Sequence, residues 1–168
     1  NRSNTIRIDS RGRTINPAAS SLQNVVNLAN LSFIRAGNPN LNPSYLHDWG
    51  VRYIHTNPSR GSTFAISLNY SGSHNYIGDS LVIDNPDFTV TEGVTLGEGN
   101  QFVRSANIGG YHRLQGKVTY GFPVNALRSN LNITVSSTMN ILPGVINGEK
   151  APIHRNNHLA AISLSSNI

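Results

Sequence analysis

Between residues 130 and 141 the sequence alternates almost without a break. Leu131, Ile133, Val135, Ser137, Met139 and Ile141 fall on odd positions, and Asn130, Asn132, Thr134, Ser136, Thr138 and Asn140 on even ones. Successive side chains of a strand point to opposite faces. The period of two therefore predicts a strand with one apolar face and one small, polar face. At twelve residues it is about twice as long as a typical soluble strand. It is long enough to cross a bilayer, which takes roughly 9–11 tilted residues. Amides and hydroxyls on the second face suit a watery lumen.

The same rhythm recurs elsewhere. Residues 5–9 read as a short strand. Residues 12–43 show no sustained period and read as a long structured loop, with a short helix expected over 18–27. Tyr45, His47, Trp49, Val51, Tyr53 and His55 then share one face, with Leu46 and Ile54 as apolar exceptions on the other. Phe64, Ile66, Leu68 and Tyr70 alternate next. Ile108, Leu114, Val118, Tyr120 and Phe122 are expected on one face, and His154, Asn156, His158, Ala160, Ile162 and Leu164 on another. Residues 57–61 and 123–128 have the composition of tight turns. Residues 72–100 read as a long, Gly-rich, acidic and mobile loop with a short strand at 81–83. Short and long connections thus alternate, as in membrane barrels and unlike Greek-key sandwiches. The expected fold is all-β: six or seven antiparallel strands of a partial transmembrane β-barrel, one domain over residues 1–168.

Only 12% of residues are charged, about half the usual share. The net charge of +5 comes mostly from arginine scattered along the chain, so a nucleic-acid partner is not expected. No apolar run reaches the ~18 residues of a membrane helix. There is no cysteine, which removes disulfide and thiolate chemistry. Aromatic residues make up 7%, few for a barrel with girdles at both interfaces. Tyr45, Trp49, Tyr53, Phe64, Tyr70, Tyr120 and Phe122 could supply part of one.

One segment is more specific than periodicity. Gly37-Asn38-Pro39-Asn40-Leu41-Asn42-Pro43 runs into Ser44-Tyr45-Leu46-His47-Asp48-Trp49-Gly50-Val51-Arg52-Tyr53. It resembles the GNPxLxPE signature of TonB-dependent receptor-like outer-membrane β-barrels, in the form common in Bacteroidetes, where a His often follows the motif. Ser44 stands where that signature has an acidic residue. Arg13-Thr14-Ile15-Asn16-Pro17 and Ala106-Asn107-Ile108-Gly109-Gly110-Tyr111 resemble flanking segments of the family, and Asn147-Gly148 matches an Asn-Gly between later strands. The family-motif residues are Gly37, Asn38, Pro39, Leu41, Pro43, His47 and Tyr53.

The resemblance implies a fragment of a barrel of about 22 strands, without its plug and C-terminal strands, in the outer membrane of a Gram-negative bacterium. The implied function is that of a wall segment of a receptor and transporter for a solute too large for porins. Its partners would be outer-membrane lipid, the parent's own plug domain, and an inner-membrane energy-coupling protein reached through the N-terminal part. A soluble β-sandwich adhesin or carbohydrate-binding module is the alternative. Isolated in water, such a fragment is expected either to curl so that its apolar faces pack together or to self-associate through its edges.

No catalytic, cofactor or metal site is expected, and the chain does not read as an enzyme. His154 and His158 lie ~13 Å apart along a strand, too far to share one metal ion. The acidic residues of 72–100 lack calcium-loop spacing. A sugar-processing enzyme would need paired carboxylates in a cleft, and most of the eight acidic residues fall in loops. Arg52, Arg113, Lys117, Asn132 and Thr134 fall on polar strand faces. They line a lumen, or they are ordinary solvated groups.

Overall fold

The computed structural model describes residues 3–166. In chain order its strands are β1 (Ser3–Ile15), β2 (Val26–Asn27), β3 (Phe33–Ala36), β4 (Ser44–Asn57), β5 (Ser62–His74), β6 (Tyr76–Ile83) and β7 (Thr89–Thr91). They continue as β8 (Val94–Thr95), β9 (Gln101–Ile108), β10 (Tyr111–Val124), β11 (Ser129–Leu142), β12 (Val145–Ile146), β13 (Glu149–Lys150) and β14 (Ile153–Ser166). The one α-helix among the described residues is a single turn, Ala19–Leu22. The all-β expectation holds.

Six strands of 13 or 14 residues form an antiparallel wall in the order β1-β4-β5-β10-β11-β14. Directly paired residues share a face. Ile6, Tyr53, Ile66, Val118, Val135 and Ala160 therefore form one continuous apolar row across all six strands. The next residue on each strand forms a polar row: Arg7, Arg52, Ser67, Lys117 and Ser136, ending on Leu159 at the edge.

On β11 the apolar face is the more exposed of the two, the opposite sense to a soluble protein. Val135 is 53% exposed, while its neighbours Thr134 and Ser136 are half-buried. Polar-face residues of β1, β4, β5 and β10 line a hollow, so the sheet curves toward that side. The polar face is concave and the apolar face points outward, as in a membrane barrel. The apolar faces do not fold onto each other. Both edge strands, β1 and β14, are exposed along their whole length.

The turns joining β4 to β5 and β10 to β11 are single 3-10 turns, Pro58–Arg60 and Asn125–Leu127, each ending on a left-handed residue, Gly61 and Arg128. The other end of the wall departs from expectation. Residues 72–100 are not an irregular loop. They contain the end of β5 and the whole of β6, β7 and β8. The pairing of β5 with β10 continues in unbroken register into β6 with β9: Ser73 faces Tyr111, and Tyr76 faces Ile108. One long hairpin thus runs out of the wall. It bends where Asn75 and Gly110 take positive φ, 52° and 102°.

The hairpin carries a second, mixed sheet ordered β13-β12-β6-β9-β3-β2. Its core is Ile34, Leu96 and Phe102, packed by Val26, Ala36, Val82, Phe88 and Val90. This explains three misreadings. Ile108 lies on β9, buried in this layer, and not with Leu114 and Val118. Residues 12–43 are not one loop, since β1 extends to Ile15 and β3 joins the layer. The helix expected over 18–27 shrinks to Ala19–Leu22. Short strands paired in parallel with distant segments, as β3 is with β9, leave little local period to read, whereas β1 carries a readable period of two past residue 9 to Ile15.

Candidate functional site

The concave face is built from the polar positions of the wall, and its charge is mostly of one sign. It carries Arg7, Arg11 and Arg13 from β1, Arg52 from β4, Arg113 and Lys117 from β10, and Arg155 from β14. Asp9 and Asp48 are the acids among them. Arg7 lies directly opposite Arg52, a like-charge pairing that is unfavourable in a sheet. The ion pairs here are long and exposed: Arg7 Nε to Asp9 and Arg13 Nε to Asp48, both 3.9 Å. At that exposure they are worth little. Asp48 also accepts a hydrogen bond from the Ser71 hydroxyl. Arg7, Asp9, Arg52, Ser67, Asn69 and Lys117 line a hollow of about 560 Å³ on this face.

Farther along the row, hydroxyls replace charge. Thr119 and Thr134 are paired across β10 and β11, with their hydroxyl oxygens 3.2 Å apart. Asn132 lies opposite Gly121, and a methyl group on that glycine would lie 2.5 Å from the Asn132 side-chain oxygen. Arg52, Arg113, Lys117, Asn132 and Thr134 all lie on this polar face of the wall.

The family-motif residues form a different feature. Gly37 to Pro43 is the link from β3 to β4, and it crosses the bend in the long hairpin. A methyl group on Gly37 would sit 1.9 Å from the Gln23 carbonyl oxygen, so only glycine fits. Asn38 ties three segments together. Its backbone N–H donates to Ser21 O at 2.6 Å, and its amide donates to Ser105 O at 3.0 Å. Its side-chain oxygen accepts from the Asn40 N–H at 3.1 Å. Pro39 follows, and Leu41 is buried.

Asn107 completes the joint. Its side-chain oxygen accepts from the Asn42 N–H at 2.8 Å, and its amide donates to the carbonyls of Asn42 and Asn75 at 2.9 and 3.0 Å. Asn75 is one of the two residues at which the hairpin bends. Past Pro43, the buried Ser44 hydroxyl lies 2.6 Å from that of Ser73. A hydroxyl therefore serves where the family signature has an acid. The structure does not bring His47 and Tyr53 to this joint. Both lie on the outward face of β4, and the Tyr53 hydroxyl donates to the Asn4 side chain at 2.9 Å.

Sequence reasoning missed Arg7, Arg11, Arg13 and Arg155 on the concave face. Arg7 lies within the strand read over residues 5–9, and a period of two carried on past residue 9 finds Arg11 and Arg13. Asn107 had no local signal, because its partners lie 65 and 32 residues away. Among the described residues no group of three or more His, Asp or Glu side chains comes together as a metal site. Just above the bend, Tyr76 stacks on Tyr111 at 4.8 Å. Burial, with Tyr111 and Asp79 nearby, raises the Tyr76 phenol above its ordinary pKa.

A family model described as the outer membrane protein beta-barrel family matches residues 1–168. No curated protein and no solved structure matches the chain.

Proposed function

The chain belongs to the outer membrane protein β-barrel family, which places it in the outer membrane in a transport or structural role, and we propose that it is a wall segment of a TonB-dependent receptor of the type found in Bacteroidetes. In this reading it serves uptake of a solute too large for porins. The role is receptive and not catalytic.

The observation that carries the proposal is the cation-lined concave face. Arg7 and Arg52 face each other with too little acid nearby to balance them. The cost falls when the lumen is filled by carboxylates or other anionic groups. A plug with an acidic flank, or an anionic solute, would supply them. Six strands cover only part of a barrel wide enough for a plug, since diameter grows with strand number. The test is conductance. The full-length parent, plug included, reconstituted in a planar bilayer should show no steady ion-conducting steps, because a plugged lumen is closed. Large, persistent steps of an open pore would overturn the proposal.

The same reading fixes the orientation. Barrels have short periplasmic turns and longer external loops, so the second sheet is outside. Gly93, in the turn between β7 and β8, has nothing within 4 Å of where a side chain would start. An epitope tag inserted there should bind antibody on intact cells. A tag at Ser59 should bind only after the outer membrane is permeabilised. The reverse pattern would invert the topology.

A further inference from the structure

The turn end of the wall carries permanent cations without acids. Arg60 ends the turn Pro58–Arg60, and Arg128 caps the turn Asn125–Leu127. The two turns stand side by side, because β5 pairs with β10. They meet where Gly61 faces Pro123: a methyl group on the glycine would lie 3.3 Å from the proline ring. Neither arginine makes an ion pair among the described residues. The carboxylates of the described wall strands, Asp9 and Asp48, lie on the polar face and farther from the turns than the row of Arg7 and Arg52.

Aromatic and aliphatic groups reach the same place along the outward face. Tyr120 is paired with Phe64 and Ile133, and Phe122 with Leu131, which is paired in turn with Leu164. The Tyr120 and Phe122 rings lie 5.3 Å apart, tilted by 32°. They are the last outward-facing residues of β10 before Val124 closes the strand. Membrane barrels place such rings at the two interfaces, where the apolar band gives way to headgroups. Every arginine and lysine of the six described wall strands lies on the polar face. On the outward side of this end, the cation must therefore come from a turn.

A hollow of about 470 Å³ opens between the two turns, and its lining has two characters. Tyr120 and Phe122 supply aromatic surface from the strand. Ser59, Arg60, Ser62 and Asn125 supply polar groups from the turns and the first residue of β5. The Arg60 guanidinium is a planar fork of donors that matches phosphate oxygens, and no carboxylate competes for it. The hydroxyls and the amide can donate to the remaining oxygens. The rings offer nothing to a free anion, but they suit glycerol carbons and the first methylenes of acyl chains.

We propose that this hollow binds one anionic glycerophospholipid, with its phosphodiester on Arg60 and its chains along Tyr120 and Phe122. With the short turns on the periplasmic side, the lipid belongs to the inner leaflet of the outer membrane. The site needs only outer-membrane placement and stands whether or not the barrel is a TonB-dependent receptor.

The test is a lipid titration. The full-length protein in detergent is titrated with phosphatidylglycerol, and bound lipid is counted by native mass spectrometry. Arg60→Gln should weaken the tightest binding by roughly fivefold or more, the effect of one basic group near an anionic headgroup. Arg60→Lys keeps the charge without the fork and should fall between. Arg128 does not line the hollow, so Arg128→Gln should bind as the parent does. Inorganic phosphate in excess should not displace the lipid, and diacylglycerol, which has the chains but no phosphate, should not compete. Arg60 is exposed in a turn outside the strand ladders, so its variants should assemble. Unchanged binding in Arg60→Gln would overturn the proposal. Equal loss in Arg60→Gln and Arg128→Gln would overturn it too, since net charge and not the hollow would then hold the lipid. Displacement by inorganic phosphate would mark a site for the free anion and would also sink it.

Discussion

Val135→Arg is expected to remove the protein from the outer membrane, and Thr134→Arg to leave it there. The two residues are neighbours on β11 and face opposite ways. Val135 lies in the middle of the apolar row from Ile6 to Ala160 and is 53% exposed on the outward side. An arginine at that depth in lipid costs roughly 2–4 kcal/mol. Thr134 looks into the concave face, where Lys117, on the strand paired with β11, already holds a cation, and there an arginine keeps its water. Fractionation of cells expressing each variant in the full-length protein, with heat-modifiable migration as the sign of a closed barrel, separates the outcomes. Equal assembly of both would mean that the outward face of β11 does not meet lipid.

The wall was legible in the sequence because every residue of a two-faced strand reports its own side. The register only had to be counted. Spacing alone puts Asn132 and Thr134 on β11, Arg52 on β4, and Arg113 and Lys117 on β10 on polar strand faces. The same counting predicts the tight turns, since Pro58, Gly61 and the residues 125–128 interrupt the period within a few positions. The second sheet was not legible. Its strands are two to eight residues long, and its core joins Ile34, Leu96 and Phe102 from three separate segments. Gly-rich composition over 72–100 signals turns, and turns do occur there, at Gly93 and Gly99 with positive φ. It says nothing of Leu96, which a long-range contact buries. The GNPxLxP segment was found as a pattern, but its task was hidden. Asn38 and the link it begins hold a bend whose other half lies near residues 75 and 107.

Gly37→Ala and Asn107→Ala are expected to detach the second sheet while leaving the wall intact. Gly37 has no room for a methyl group, because the atom it would meet is the backbone carbonyl of Gln23 and not a side chain that can turn aside. Relief requires residues 21–23 to separate from the link. That breaks the 2.6 Å bond from Asn38 N–H to Ser21 O. Overpacking of this kind costs about 1–3 kcal/mol. Asn107→Ala removes three hydrogen bonds, two to Asn42 and one to the bend at Asn75. Each is worth about 0.5–1.5 kcal/mol net, and more where a partner is left dry. Asn107→Asp should fall between, since it keeps an acceptor for Asn42 N–H and loses both donations. Hydrogen exchange is the readout. Amides of Phe33–Ala36 and Gln101–Ile108 should lose protection in both alanine variants, and those of Ser129–Leu142 should not. The wall is paired strand to strand through its own ladder, and among the described residues the β5–β6 and β9–β10 hairpin is where that ladder continues into the second sheet. Equal loss of protection in Ser129–Leu142 would show that wall and second sheet unfold as one unit, and that the joint does more than fasten one to the other.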